Sequence, residues 1–525
     1  MKRFIIGILA AGTLFAAAND GTRWWSYVEF LASDNLEGRN TGSEGHKKAA
    51  DYVAAQFERA GLKPAGEQGY IQPVRFKTLQ LDESASSLTL TRDGRARKIT
   101  LGDDAIIGTR IEPASSVEAG LVFVGYGLRI PEAQIDDFAG LDVKGKIVVY
   151  LAGAPTSVPA ALSAHYQSQA ERGKLFQSLG IIGSVTIQNP HHMDVPWARI
   201  AANRSQMAMQ LADPGLTDPY GQKIGVTWNP DRADYLLEGT GHTFASIVDA
   251  AEAGRLLPRF KLPSTLSAKA ALKRGEVVSQ NIAAIYPGTD PVLKNEYVVL
   301  SAHIDHLGIS DPPVNGDKVF NGAMDNASGV GILLETAAHL KETAPKLKRS
   351  ILLVAVTGEE KGLLGSKYFN AKPTVPSQQI VANVNTDMFL PLHALKLLTV
   401  YGFAESSLGD DVRALADSMG IRTQPDPEPQ RNIFIRSDQY NFILKGIPAI
   451  TFKFGAEKGS KEEKIEKDWL TTRYHAVGDD LNQPIDKAAA GQFIDLVERL
   501  LTRVADAPAK PAWKPDSFFR RYASK

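Results

Sequence analysis

Three long apolar runs, YVVLSA (297–302), SILLVAVTG (350–358) and IVANVNTD (380–387), stand in the second half of the chain with helical stretches between them. Strands without polar alternation must be covered on both faces, which flanking helices achieve and a half-solvated antiparallel sheet does not. The alternation therefore predicts an α/β fold: a mixed, mostly parallel sheet flanked by helices. The helices are expected at about Ala327 to Lys341, near Leu363, and at Lys487 to Val504 as a closing amphipathic element, with PAITFKF (448–454) as a further strand. Upstream, Gly45 to Gly61 places Ala49, Val53, Phe57 and Ala60 on one helical face, with Gly61 as its stop.

Between about Phe76 and Leu272 the pattern changes to short β-like runs, SSLTLTR, RKITLG, LVFVGYG and GKIVVYL, separated by Gly and Asp turns. The chain of 525 residues is also too long for one compact core. The expected division is one domain from 19–76 and 278–508, a β-rich insert over 77–277, and a Pro- and Ala-rich surface tail over 509–525. Residues 1–18 carry Lys2 and Arg3, an apolar run from Phe4 to Phe15, and Ala16 to Ala18, which reads as a cleaved secretory signal. The run is shorter than the roughly 20 residues of a membrane anchor, so the mature chain is expected to have no membrane span and to be exported, periplasmic or extracellular. The absence of Cys excludes disulfides and a lipid-modified Cys, leaving packing and metal as sources of stability. Lys plus Arg and Asp plus Glu both total 59, so no net field points to nucleic acid or an anionic membrane.

In open α/β sheets ligands bind outside the carboxyl ends of the strands. YVVLSA is followed by His303 and Asp305, SILLVAVTG by Glu359 and Glu360, and IVANVNT by Asp387, while Asp325 stands just before a helix. His303 and Asp305, two apart, share a face in an extended segment, where the carboxylate could fix the imidazole tautomer while the other nitrogen binds metal. His and carboxylate donors suit zinc. Glu359 and Glu360 project in different directions, so one could bind a metal while the other reaches for the water it activates. Two such carboxylates after a buried strand would repel each other unless a dication offsets the charge. Asp325 lies in NGAMDNASGVG, whose small residues let backbone crowd the site; alone it reads more readily as a helix cap. His475 sits in a polar loop before Asp479 and Asp480 and says little by itself.

Taken in order, SAHIDHLG, NGAMDNASGVG, TGEEKGLLGS, NVNTDMF, SDQYNF and RYHAVGDD resemble the M28 family of zinc peptidases. LASDNLEGRNTGSEG and SQNIAAIYPGTDP are similar to that family's lead-in and to the start of its catalytic sheet, so the resemblance covers roughly residues 25–75 and 278–505. VFVGYGL, DDFAGLDVKGKIVVYL and RGKLFQSLGIIGSVTI resemble a protease-associated domain. The resemblance implies an exopeptidase, most commonly of the aminopeptidase type, acting on peptides through two zinc ions, with dipeptidase or carboxypeptidase action left open. It implies one zinc held by His303 and Asp387, a second by Glu360 and His475, and Asp325 bridging both. It further implies Glu359 as general base and Asp305 as the residue that orients His303, both counted with the catalytic machinery.

The pattern departs from the family at Gln439, where His is common, which bears on substrate contacts and not on the metals. Tyr440 is read as either an oxyanion donor or a packed loop residue, and His306 as a second-sphere neighbour. The stretch from Asn189 to Asn229, with His191, His192 and Trp197, is read as a surface excursion or a loop over the cleft. Two competing functions are a glutaminyl-cyclase-like acyl transferase, which uses one zinc, and a metal-free binding or receptor ectodomain, which would have lost ligands or the base.

Overall fold

The computed structural model describes residues 19–523 apart from 194, 218–220 and 315, so the signal-like segment lies outside the described residues. The main sheet runs, edge to edge, through Ala208–Leu211, Ile71–Leu81, Leu272–Tyr286, Ser350–Val356, Tyr297–His303, Ile380–Asn385, Ala449–Phe454, Leu397–Tyr401 and Arg422–Pro425. Its centre, from Ser350–Val356 through Tyr297–His303 and Ile380–Asn385 to Ala449–Phe454, is parallel. These are the uninterrupted apolar runs, and the pleat divides them between two layers. Val298, Leu300, Ala302, Ile351, Leu353 and Ala355 enter one core, while Val299, Leu352, Val354 and Val356 enter the other.

Helices Thr22–Leu31, Glu44–Arg59, Ser328–Thr343 and Lys487–Asp506 contribute to the first core. The expected helices thus form within a few residues of their predicted bounds. Their starts are capped: Ser43 accepts from the His46 amide and Asp486 from that of Ala489. Leu364–Ala371 and Gln439–Ile443 cover the opposite face. No helix among the described residues is long and apolar enough to cross a membrane.

A second, eight-stranded sheet is built within residues 87–269 and has a core of its own, including Leu88, Val149, Val185, Trp228 and Leu266. The stretch expected as an insert is not wholly separate from the main sheet. Ala208–Leu211 pairs antiparallel with Ile71–Leu81, and Leu272–Tyr286 begins inside the 77–277 span and ends at the sheet centre. The surface-tail expectation is overturned over the described residues 509–523. Trp513, Phe519 and Tyr522 are buried against the second core, with Trp513 Nε1 donating to the Gly446 carbonyl at 2.8 Å. Three aromatic side chains within ten residues outweigh the Pro- and Ala-rich composition on which that reading rested.

Candidate metal centre

The carboxyl edge of the parallel strands gathers the predicted residues. His303 closes strand Tyr297–His303, Glu359 and Glu360 follow Ser350–Val356, Asp387 follows Ile380–Asn385, and Asp325 occupies the turn before helix Ser328–Thr343. His475 comes from the loop after helix Lys461–Thr472. His303 Nε2 lies 3.2 Å from Asp325 Oδ1 and 3.5 Å from Asp387 Oδ1. His475 Nε2 lies 3.3 Å from Asp325 Oδ2 and 3.3 Å from Glu360 Oε2. The second Glu360 oxygen, Oε1, is 2.7 Å from Nδ1 of His306. His306 thus touches the second donor set more closely than its sequence reading implied, and its Nδ1 is also 4.0 Å from Asp325 Oδ2.

The turn that presents Asp325 is held from three sides. Asp479 accepts hydrogen bonds from the amides of Met324 and Asp325, at 2.9 and 3.0 Å to its nearer oxygens. Gly322 has φ +58°, and a Cβ there would lie 2.1 Å from the Asp325 carbonyl oxygen and 2.6 Å from the His306 ring. Arg39, 1% exposed, donates to the carbonyls of Ile304, Asn321 and Gly322, so one guanidinium ties the His303 loop to the Asp325 turn. Asp479 was visible in sequence only as a neighbour of His475, and Arg39 carried no signal, because its partners are main-chain carbonyls.

Asp305 acts differently from its sequence reading. The His303 Nδ1 partner is the Asp305 carbonyl, at 3.1 Å, while the nearest carboxylate oxygen is 4.0 Å away. The carboxylate instead accepts from Thr41 Oγ1 at 2.8 Å and from the amide of Glu359 at 3.1 Å, with the Glu360 amide at 3.4 Å. Asp305 therefore fixes the main chain that carries both glutamates, and its backbone orients His303. Gln439, at the family's His position, is buried, with Asn385 Nδ2 donating to its Oε1 and its Nε2 donating to the Phe434 carbonyl. Tyr440 is packed in the second core, 8% exposed, although its edge reaches the cleft.

The electrostatics favour cations. Burial disfavours a charged His303, yet Glu359, Asp325 and Asp387 hold its pKa well above the ordinary histidine value. Burial likewise opposes charge on His475, and Glu360 and Asp325 raise its pKa. Asp387 Oδ1 is buried and has no hydrogen-bonding partner among the described residues, and the same is true of His306 Nε2. Burial, followed by Glu360, Asp387 and Asp438, pushes Glu359 well above the usual carboxylate range against the pull of His303. Asp438, fully buried, is raised by burial to about 7. Oxygen and imidazole donors at these spacings, in a field that attracts positive charge, fit zinc. They open on a cavity of about 1510 Å³ that Met193 and His192 of the 189–229 stretch also line.

Over nearly the whole chain this architecture is shared with solved structures. The aminopeptidase from Aneurinibacillus sp. strain AM-1 superposes with a TM-score of 0.57 at 20% identity, covering 95% of this chain and 97% of that one. BSAP, a zinc aminopeptidase from Bacillus subtilis, gives a TM-score of 0.51 at 19% identity, covering 94% and 98%. Carboxypeptidase Q of Xenopus laevis is 23% identical over 383 residues, 69% of this chain and 65% of that protein, so the match spans a little under two thirds of that relative. In open α/β sheets ligands bind at the carboxyl edge of the strands, which is where this chain gathers its histidines and carboxylates. Residues 281–501, which supply each of those side chains, match the family model for Peptidase family M28.

Proposed function

We propose that the chain is an exported zinc exopeptidase of the aminopeptidase type that holds two ions. The observation that carries this reading is the division of Asp325. Its Oδ1 faces His303 and its Oδ2 faces His475, so a single carboxylate belongs to two donor sets. His303 and Asp387 complete the first set, and Glu360 and His475 the second. Each set offers three protein ligands, which leaves room for water and substrate. His306 is then the neighbour that donates to the free Glu360 oxygen and orients it.

Two zinc ions bound there would supply an activated water and polarise the scissile carbonyl. Glu359 accepts the proton of that water and delivers it to the leaving amine, a role suited to a carboxyl whose pKa is pushed upward. Asp305 keeps Glu359 in position through its main-chain amide. Tyr474, whose ring lies 4.0 Å from that of His475, is held protonated by burial and by Asp325, and its hydroxyl is the donor available to a developing oxyanion. The 77–277 segment, with its protease-associated resemblance, shapes the approach of the peptide to the cleft.

The test is the cleavage of one defined peptide, free and N-acetylated, by zinc-loaded protein and by protein stripped with chelator, followed by mass spectrometry. Stepwise loss of residues from the free amino end, dependent on zinc and blocked by acetylation, is expected. Equal cutting of the acetylated peptide would refute the aminopeptidase assignment, and cutting by the stripped protein the zinc assignment.

A further inference from the structure

The strand Ala208–Leu211 borders the main sheet on one side and lines the same cavity as the metal centre. It pairs antiparallel with Ile71–Leu81, and among the described residues nothing pairs with its other side. Register decides which backbone groups are left over. The amide of Ala212 donates to the Arg75 carbonyl at 2.9 Å, so that pair faces inward, and in an antiparallel ladder inward and outward residues alternate. Gln210 and Ala208 therefore turn their amides and carbonyls toward Lys77 and Leu79, whereas Met209 and Leu211 turn theirs away from the sheet. Those outward groups have no hydrogen bond to another described residue. The side chains of Met209 and Leu211 are buried with Val74 and Phe76, which fixes the strand while its border stays open.

The strand starts beside the metal centre and leads away from it. Just before it, Gln206 donates from Nε2 to the Leu307 carbonyl at 2.9 Å, next to the His306 that touches Glu360. Just after it, Asp213 pairs with Lys372 at 2.5 Å, past the end of helix Leu364–Ala371. Met209, Gln210 and Leu211 line the cavity together with Glu360, Lys361 and Leu364. Backbone donors and acceptors withdrawn from bulk water need partners, and an open strand border is a template for another extended chain. Resting on the peptidase reading above, we propose that the peptide substrate is that chain. It lies extended along Ala208–Leu211 and exchanges backbone hydrogen bonds with Met209 and Leu211 while one of its ends reaches the metal centre. Strand addition takes its affinity from backbone and not from side chains, so the substrate class is unfolded peptides of varied sequence. Engaging both outward residues takes about three consecutive substrate residues, which a dipeptide cannot supply.

The experiment measures kcat/KM of the zinc-loaded, full-length protein on a hexapeptide and on versions carrying a single backbone N-methyl group, which removes one N–H, at each amide away from the scissile bond. Pairing with a strand predicts a loss of about 3- to 10-fold at alternate amides on one side of that bond and little loss between them. Met209→Pro removes an outward amide and none of the ladder bonds. It should lower kcat/KM for the hexapeptide by a similar factor relative to an aminoacyl anilide, which is too short to lie along the strand, while Met209→Leu keeps the wild-type ratio. A flat scan, which leaves the border to water or to a second copy of the chain, overturns the proposal on the unaltered protein. An equal loss at every amide overturns it too, as does an unchanged ratio in Met209→Pro that melts like wild type. In those cases the unmodified hexapeptide is still cut and the peptidase reading stands. No cleavage of the unmodified hexapeptide overturns both.

Discussion

Arg199 donates from Nη1 to the carbonyl of Tyr474 at 2.6 Å, one residue before His475, and from Nη2 to that of Thr471 at 2.7 Å. The residue comes from helix Trp197–Ala202, in the part of the chain that sequence patterning assigns to the insert, and it reaches the carboxyl end of helix Lys461–Thr472. A cation there satisfies orphan carbonyls and complements the helix dipole. His475, at φ 54°, is thus held by a contact from outside its own loop.

Arg199→Ala should therefore weaken zinc binding at the second donor set by about tenfold, as loss of a supporting contact around a ligand does. Competition with a graded chelator, set beside thermal melts of the zinc-free protein, separates this from simple loss of fold. Unchanged zinc affinity would show that the His475 loop needs no help from the insert.

On the two-zinc reading proposed above, Glu359→Gln should retain both ions and lose on the order of 10² to 10⁴ in kcat, since it removes the proposed proton acceptor and none of the proposed ligands. Metal analysis of the purified variant alongside single-substrate kinetics decides it. Substantial turnover in a zinc-replete variant would move the base elsewhere, and Asp438 would be the next carboxyl to examine.

His475 and His306 both touch Glu360, at 3.3 and 2.7 Å, and their substitution should differ in kind. On the same two-zinc reading, His475→Ala is expected to leave one zinc per chain. His306→Ala should keep two and weaken the second by roughly 10- to 100-fold, the usual effect of losing a residue that orients a ligand. The reverse result would make His306 the ligand and His475 its neighbour.

The legible parts of this molecule are those in which one residue type serves one purpose. The central strands could be read because burial on both faces forbids polar alternation, and His303, Glu359, Glu360 and Asp387 because they stand immediately after those strands, whereas Asp325 and His475 are picked out only by the family resemblance. Of Leu272–Tyr286 only the second half was legible, as the start of the catalytic sheet, because its first half is exposed and polar while its second half is buried at the sheet centre. Arg39 and Arg199 act on main-chain carbonyls, which leave no trace in a sequence. Asp305 was located correctly and given the wrong contacts, since spacing fixes which face a carboxylate shares and not which donors fill it.

The carboxyl-terminal segment should behave as core. Phe519 is fully buried, its ring 5.4 Å from that of Phe434, and Tyr522 Oη lies 2.9 Å from His165 Nδ1. Phe519→Ala should cost about 3–4 kcal/mol, a buried phenyl's transfer and cavity terms together. Urea unfolding measures it, and a change under about 1 kcal/mol would return the segment to the surface.

Stability should also depend on pH through a carboxyl remote from the metal centre. Glu498 on the closing helix is 6% exposed, its Oε1 has no hydrogen-bonding partner among the described residues, and His339 Nδ1 is 3.5 Å from its other oxygen. Burial, with Glu335 and Asp495 adding repulsion, raises its pKa from 4.5 to about 8. The protonated form is favoured in the folded chain, so its contribution to stability is fully present below pH 4.5 and is lost as pH rises through about 8. Glu498→Gln removes the ionisation while keeping the shape. It should change little near the acid end of that window and stabilise by roughly 1–3 kcal/mol at pH 9, the gain growing steadily between. Urea melts of both proteins at pH 5, 7 and 9 give the comparison. A stability difference that stays flat across that range would mean that Glu498 is ionised in the folded protein and that His339 or solvent supplies its counter-charge.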